Sequence, residues 1–158
     1  MLNLIAAVAR DGGLGWQGDL LFSITEDLRR FKALTMGKTV VMGRGTLDSL
    51  PGGRPLRGRR NLVLTHDKAF HREGAETFHS LESLLAALPA KDEAWVIGGA
   101  AVYEALLPYC GALYLTEVDA APPADRFFPT LGGDWRLTEA TAWQVSAGLP
   151  YRFCRYER

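Results

Sequence analysis

The chain has 158 residues, 47% of them hydrophobic, enough to bury a substantial core in one ordinary domain without disulfide or metal staples. Eighteen basic residues balance eighteen acidic ones, so no global charge field points to nucleic acid or to a membrane surface as partner. No apolar run approaches bilayer length, no basic leader opens the chain, and Cys110 and Cys154 lack metal-ligand spacing, so the expectation is a soluble cytoplasmic monomer with two free, packing cysteines.

Short β-branched runs alternate with helical patterns. The first, "LNLIAAVA" at 2–9, is apolar throughout, as a strand covered on both faces would be. Directly after it, "RDGGLGWQGD" sets Gly12, Gly13, Gly15 and Gly18 around Leu14 and Trp16, which suits either a mobile lid or a plain flexible connection. The stretch "SITEDLRRFK" then predicts an amphipathic helix over 26–34. At about 100° per residue, Ile24, Leu28, Phe31 and Leu34 share one apolar face, while Glu26, Arg29 and Arg30 point away. Asp27 falls inside the apolar arc, roughly 40° from Phe31 and roughly 20° from Leu34, so a regular helix carries its carboxylate toward whatever the helix packs against. A capping acid in the first turn is the alternative.

"TVVMG" at 39–43 predicts the next strand, and Gly43-Arg44-Gly45-Thr46 follows it into a short helix. A close backbone approach, a guanidinium and a hydroxyl at a strand end suit a phosphate, although the same residues also make an ordinary strand-to-helix turn with an exposed arginine. "PGGRPLRGRRN" gathers Arg54, Arg57, Arg59 and Arg60 before the third strand, "NLVLT" at 61–65. That loop is either a solvated basic surface or a frame offering one planar fork to a carboxylate, and spacing does not choose the arginine. His66, His71 and His79 have no partner at metal spacing, so no metal is assigned.

A helical pattern over 81–88 leads to the strand "AWVIGG" at 94–99, whose Gly98-Gly99 permits close approach to a ligand, a tight turn, or even a cis peptide. A helix over 100–107 and the strand "ALYLTEV" at 112–118 complete the alternation. "WRLTEATAW" and "PYRFCRYER" predict an antiparallel pair at one end of the sheet. The class is α/β, a single domain over 1–158 with right-handed crossovers between parallel strands. Neither glycine junction matches G-x-G-x-x-G, and no Gly-x-Ser-x-Gly elbow or nucleophilic cysteine context is present, so covalent catalysis is not expected.

"LNLIAAVARDGGLG", "EDLRRFK", "VVMGRGT", "GRPLRGRRN", "VIGGAAVYEALLP" and "LYLTEVDA" occur in the order and approximate spacing of dihydrofolate reductase, and the match extends from Met1 to "YRFCRYER". The chain therefore resembles that family along its whole length. The resemblance implies a three-layer α/β fold with a mainly parallel central sheet of about eight strands, a C-terminal antiparallel strand and flanking helices. It also implies NADPH-dependent reduction of 7,8-dihydrofolate to tetrahydrofolate in support of one-carbon metabolism, with antifolates as inhibitors.

Matched residue by residue, the resemblance makes Asp27 the acid that hydrogen-bonds the pterin N3 and 2-amino group, with Thr116 supporting it. Ile5, Ala6, Leu28, Phe31, Leu50 and Leu56 become the apolar walls of the substrate slot, and Arg59 the ligand of the glutamate α-carboxylate. Ala7, Leu14 and Gly15 border the nicotinamide site, with Ile97 and Tyr103 close to the ring. Gly43, Arg44, Thr46, Gly98, Gly99 and Val102 correspond to pyrophosphate and ribose contacts, and Leu64, Thr65 and His66 lie at the adenosine end. The Gly98-Gly99 peptide is expected to be cis.

Leu21-Phe22 stands where the family commonly has Pro-Trp, which removes the indole donor before the catalytic helix. Gly45 and Ala101 replace larger or basic residues near the adenosine phosphate, leaving Arg44, Thr65 and His66 to recognise it and implying a weaker preference for NADPH. Two other readings are a riboflavin-pathway reductase sharing the fold and a non-catalytic pterin- or nucleotide-binding module. Asp27 and Arg59 argue against the first, and the joint presence of Asp27, Thr116 and Gly98-Gly99 against the second.

Overall fold

Strands that are apolar on both faces need cover on both faces, and four short helices supply it. The computed structural model describes residues 1–158. In chain order the elements are β1 (Leu2–Val8), β2 (Gly13–Trp16), β3 (Asp19–Leu20), α1 (Thr25–Thr35), β4 (Thr39–Gly43), α2 (Arg44–Ser49), β5 (Arg60–Leu64) and β6 (Ala75–Phe78). They continue with α3 (Leu81–Ala86), β7 (Ala94–Gly98), α4 (Ala100–Leu106), β8 (Ala112–Val118), β9 (Arg126–Phe127), β10 (Arg136–Ala140), β11 (Gln144–Ser146) and β12 (Leu149–Glu157).

The main sheet runs β10-β12-β8-β1-β7-β4-β5-β6, and β11 pairs with β12 beside it. From β8 to β6 every neighbour is parallel. β12 lies antiparallel to β8, and β10 antiparallel to β12. The chain first travels outward from β1 to β4, β5 and β6, then returns to insert β7 between β1 and β4 and to place β8 beyond β1. Right-handed crossovers change face when the direction of travel reverses. Accordingly, Leu47 of α2 and Phe31 of α1 pack with Ile5, Val40, Met42, Val63 and Trp95 on one face. Leu84 of α3 and Leu106 of α4 pack with Leu4, Val41, Leu62, Val96 and Leu113 on the other. The reversal leaves a crevice beyond the carboxyl ends of β1, β4 and β7.

A third cluster of Ile24, Val118 and Tyr151 fastens the start of α1 to β8 and β12. This contact does the work of a cap. Ile24 occupies the N-cap position with no side-chain hydrogen bond, and is buried to 2% exposure. Burial of one isoleucine thus sets where the first turn, and with it Asp27, begins.

The sequence-based elements all form, with ends displaced by a residue or two. Two further features form from segments too short to show periodicity. Ala75–Phe78 adds β6 at the sheet edge, and the glycine-rich loop folds into a small second sheet, β3-β2-β9. Its hairpin turns at Gln17 (φ 49°) and Gly18 (φ 86°), both in the left-handed region, as a type I′ turn requires. Ala147 (φ 50°) and Gly148 (φ 81°) make the same kind of turn between β11 and β12. The expected tail pairing is therefore elaborated, with β10 and β11 both joined to β12. Cys110 and Cys154 are free and buried, and burial pushes their thiols up to about 12 and about 11, so both serve as packing groups. No helix is long and apolar enough to cross a membrane.

Leu4 is fully buried at the centre of the sheet, whereas Val145 on β11 is 70% exposed. Leu4→Ala is expected to cost about 2–5 kcal/mol and Val145→Ala less than about 0.5 kcal/mol, as read from urea unfolding midpoints.

Candidate functional site

Asp27 stands in the first turn of α1 and bonds across to the sheet. Thr116 Oγ1 donates to its Oδ1 at 2.5 Å. Thr116 is buried on β8, in register with Ala7 of β1 on one side and Phe153 of β12 on the other. Its hydroxyl is therefore fixed by two strands. Burial raises the Asp27 carboxyl above its ordinary value, while the Thr116 hydrogen bond and the Arg30 charge pull in the opposite direction without cancelling it. Asp27 takes part in none of the ion pairs. It is a half-buried acid with free acceptor capacity, and it is a cross-element anchor rather than a helix cap.

Arg30 is one feature that periodicity did not single out. Its guanidinium lies 4.4 Å from the Phe153 ring centroid and 5.6 Å from that of Tyr114, and Nη1 is buried without a partner. Helix periodicity had placed Arg30 on the outward face, but β12 lies against that face and half-buries it. A cation held by ring faces three residues from Asp27 is the main positive charge acting on that carboxyl.

The apolar residues of the expected slot divide. Ile5, Phe31, Leu50, Leu56 and Ile97 belong to one cluster on the α1 side of the sheet. Ala6 alternates to the other face with Tyr103 and Val102. Leu28 is 55% exposed and joins no apolar cluster, since the arc it shares with Ile24 and Phe31 is wider than the contact α1 makes with the sheet. Tyr103 closes the crevice from α4, its buried hydroxyl donating to the Ile5 carbonyl at 2.8 Å. Burial holds that phenol far above its ordinary range, so it remains a neutral donor.

The two glycine junctions meet. Gly98 and Gly99 are joined by a cis peptide, as expected. A Cβ built on Gly98, whose φ is +131°, would stand 3.2 Å from Thr46 Oγ1 and 3.4 Å from the Tyr103 hydroxyl. One on Gly43 would stand 3.1 Å from Val102 Cγ2. Gly43, Thr46, Gly98, Gly99, Val102 and Tyr103 therefore form one bare-backbone cradle at the ends of β4 and β7. Leu14 packs on the neighbouring core, and Gly15 is buried in β2, its carbonyl accepting from Asp125 N at 2.9 Å. Leu64 pairs in register with Gly43, Thr65 follows it, and His66 is exposed.

Among the loop arginines, pairing removes Arg60 and leaves Arg54, Arg57 and Arg59 without a carboxylate, and of these three only the Arg59 guanidinium is held by hydrogen bonds. Arg60 is held by both oxygens of Glu76, at 2.6 and 2.9 Å. Arg59 has no carboxylate partner. Its Nε donates to the Arg57 carbonyl at 3.0 Å and its Nη1 to Thr35 Oγ1 at 3.1 Å, and partial burial lowers its pKa. Arg59 is thus an oriented, uncompensated cation at the C-terminal end of α1. Arg44, expected to be free for an anion, is instead paired with Asp67 at 2.8 Å. Asp67 is three residues past the end of β5 and carries no sequence signal of its own.

A family model described as dihydrofolate reductase matches residues 1–158. The dihydrofolate reductase of Mycobacterium tuberculosis strain H37Rv is 44% identical over 163 residues, covering 100% of this chain and 98% of the relative. That of Neisseria meningitidis serogroup B strain MC58 is 41% identical, covering 99% of this chain and 98% of the relative. Among solved structures, dihydrofolate reductase from Enterococcus faecalis complexed with NADP(H) and RAB-propyl superimposes with a TM-score of 0.92 at 31% identity. The superposition covers 100% of this chain and 96% of that one.

Burial of Asp27 has a consequence for stability. Because the native state holds the proton more tightly than the unfolded chain, the native protein binds more protons between the unfolded value of 3.8 and the raised native value, and stability falls as pH rises through that window. Asp27→Asn keeps the shape and an acceptor for Thr116 but removes the buried charge. The variant is expected to melt higher than the parent at pH 7, with the difference vanishing below pH 3.8, as followed by scanning calorimetry across pH.

Proposed function

The chain belongs to the dihydrofolate reductase family and carries out the NADPH-dependent reduction of 7,8-dihydrofolate to 5,6,7,8-tetrahydrofolate; we propose that Asp27, supported by Thr116, is the group on which that chemistry turns. What supports the assignment above all is that Asp27 is a desolvated carboxylate with one fixed donor and no ion-pair partner. Such a group is suited to the two donors that a pterin presents on one edge, N3–H and the 2-amino group, and can take both in a bidentate pair. Ile5, Ala6, Leu28, Phe31, Leu50 and Leu56 would contact the ring and the aromatic linker. Arg59 would receive the glutamate α-carboxylate with its free guanidinium edge.

NADPH, when bound, supplies the hydride for the carbon next to N5. The glycine cradle would fit it, since Gly43 and Gly98 let Val102, Thr46 and Tyr103 pack directly on the backbone, and bare backbone at Gly43, Gly98 and Gly99 permits close approach of a pyrophosphate. Arg44, Thr46 and Val102 would complete the pyrophosphate and ribose contacts. Ala7, Leu14, Gly15, Ile97 and Tyr103 would border the nicotinamide, and Leu64, Thr65 and His66 the adenosine end. Asp27 fixes the ring and, by its charge in an apolar setting, favours protonation at N5, where the proton arrives through water. The chain's contribution is positioning and electrostatics.

Dihydrofolate and antifolates are the ligands of this site, and the tetrahydrofolate formed supplies one-carbon metabolism. We take the protein to work as one domain spanning 1–158, as a cytoplasmic monomer that does not bind nucleic acid. What supports this reading is that one domain carries every residue assigned to the site and that eighteen basic residues balance eighteen acidic ones.

Two substitutions test these assignments. Asp27→Asn is expected to slow hydride transfer about a hundredfold or more at pH 7 and to recover rate as pH falls, because turnover then relies on substrate protonated in solution. Stopped-flow rates against pH check this, and parental rates at pH 7 would remove Asp27 from its role. Arg59→Ala is expected to weaken dihydrofolate by about 1.5–3 kcal/mol while hardly changing a small dihydropterin that lacks the glutamate. Equal losses for both ligands, measured by fluorescence titration, would make Arg59 a loop support.

A further inference from the structure

The start of α2 and the loop after β5 share a charge network that the chemistry above leaves unexplained. Arg44 donates from Nη1 to Asp67 Oδ2 at 2.8 Å, and its Nε lies 3.7 Å from Asp48 Oδ2, one turn along the same helix. Asp48 Oδ1 accepts from Arg72 Nη2 at 2.9 Å, and Arg72 also donates to the Gly53 carbonyl. Both guanidiniums lie against Phe70, 4.7 and 5.3 Å from its ring centroid. Asp67 Oδ1 accepts the Ala69 amide at 3.0 Å, and the Asp67 amide donates to Thr65 Oγ1 at 3.2 Å. The acid is therefore fixed in a turn that starts at Thr65. Two arginines and two aspartates are linked, with no net charge among them.

We propose that Asp67 is a specificity-determining residue that weakens this enzyme's discrimination between a 2′-phosphorylated nicotinamide dinucleotide and its unphosphorylated counterpart. The proposal rests on the placement of the adenosine end at Leu64, Thr65 and His66. A phosphate is recognised best by a cation with unoccupied donors. Arg44 is the cation at this end, and its Nη1 is already hydrogen-bonded to Asp67, with Asp48 at ion-pair distance from its Nε. To meet a 2′-phosphate it must leave Asp67 or share it, and in either arrangement the phosphate stands beside an acid anchored by two turn hydrogen bonds. Asp67 thus opposes the phosphate twice, by occupying the cation and by repelling the incoming charge. A ribose without the phosphate offers hydroxyls, for which a carboxylate is an acceptor. Arg72 is no substitute cation, being committed to Asp48 and the Gly53 carbonyl. The Arg44 and Asp67 side chains are about half exposed, so the effect tunes preference without abolishing it.

The test is direct binding to the whole protein by titration calorimetry, with NADPH, NADH, adenosine 2′,5′-bisphosphate and adenosine 5′-monophosphate as probes. Asp67→Asn keeps an acceptor for the Ala69 amide and removes the charge; Asp67→Ser does the same with a shorter side chain. Both variants are expected to raise the NADPH-to-NADH affinity ratio about fivefold, the scale of one half-exposed charge contact. The bisphosphate-to-monophosphate ratio is expected to rise in parallel, and both gains to shrink with added salt. Unchanged ratios in both variants overturn the proposal. Arg44→Ala separates this failure from that of the underlying placement. If Arg44→Ala lowers the ratio and the Asp67 variants do not raise it, the adenosine end stands and only the role of Asp67 falls. If Arg44→Ala also leaves the ratio unchanged, the phosphate lies elsewhere and both fall.

Discussion

Asp27 sits where burial opposes its ionisation, and the sheet order is what keeps it there. Thr116 can donate to it because β8 is held between β1 and β12, which fixes where the threonine backbone stands opposite the first turn of α1. The start of α1 is fixed on the same strands through Ile24, Val118 and Tyr151. One apolar cluster and one hydrogen bond therefore determine both ends of the same vector, from the helix to the carboxylate. The antiparallel tail contributes more than an edge. By covering Arg30 with Phe153 it places a cation behind the acid without an ion pair, so the carboxyl is tuned while its acceptor atoms remain available.

Much of this was readable in the sequence because it rests on local periodicity. The apolar strands, the four helices and the inward position of Asp27 each follow from residues within about a dozen positions of one another. Features that depend on distant partners were not readable. Gly13–Trp16 is too short and too rich in glycine to signal a strand, and becomes one by pairing with Asp19–Leu20 on one side and the distant Arg126–Phe127 on the other. Arg30 faces outward by helical spacing, but the outward side is occupied by a strand more than a hundred residues later. Leu28 is the opposite case, an apolar residue in a regular stripe that joins no apolar cluster of the fold and remains exposed.

Charge shows the same division. A chain with eighteen cations and eighteen anions gives no hint of which charges are committed. The fold commits Arg60 to Glu76, Arg152 to Glu117, Arg44 to Asp67 and Arg72 to Asp48, and leaves Arg59 oriented but uncompensated. Neutrality overall is thus compatible with one local excess of positive charge beside the crevice, which is what an anionic ligand tail needs.

The small sheet β3-β2-β9 carries a further consequence. Phe128 N bonds Gly12 O, Asp125 N bonds Gly15 O, and the Asp125 carboxylate accepts the Gln17 amide, so two loops more than a hundred residues apart share one hydrogen-bonded clasp. Neither loop can swing outward without breaking bonds that belong equally to the other. The two loops are therefore stabilised as one cooperative unit, with the free energy of holding it written in both segments. Sequence drift around Asp125 therefore bears on the glycine-rich loop as directly as drift within that loop does.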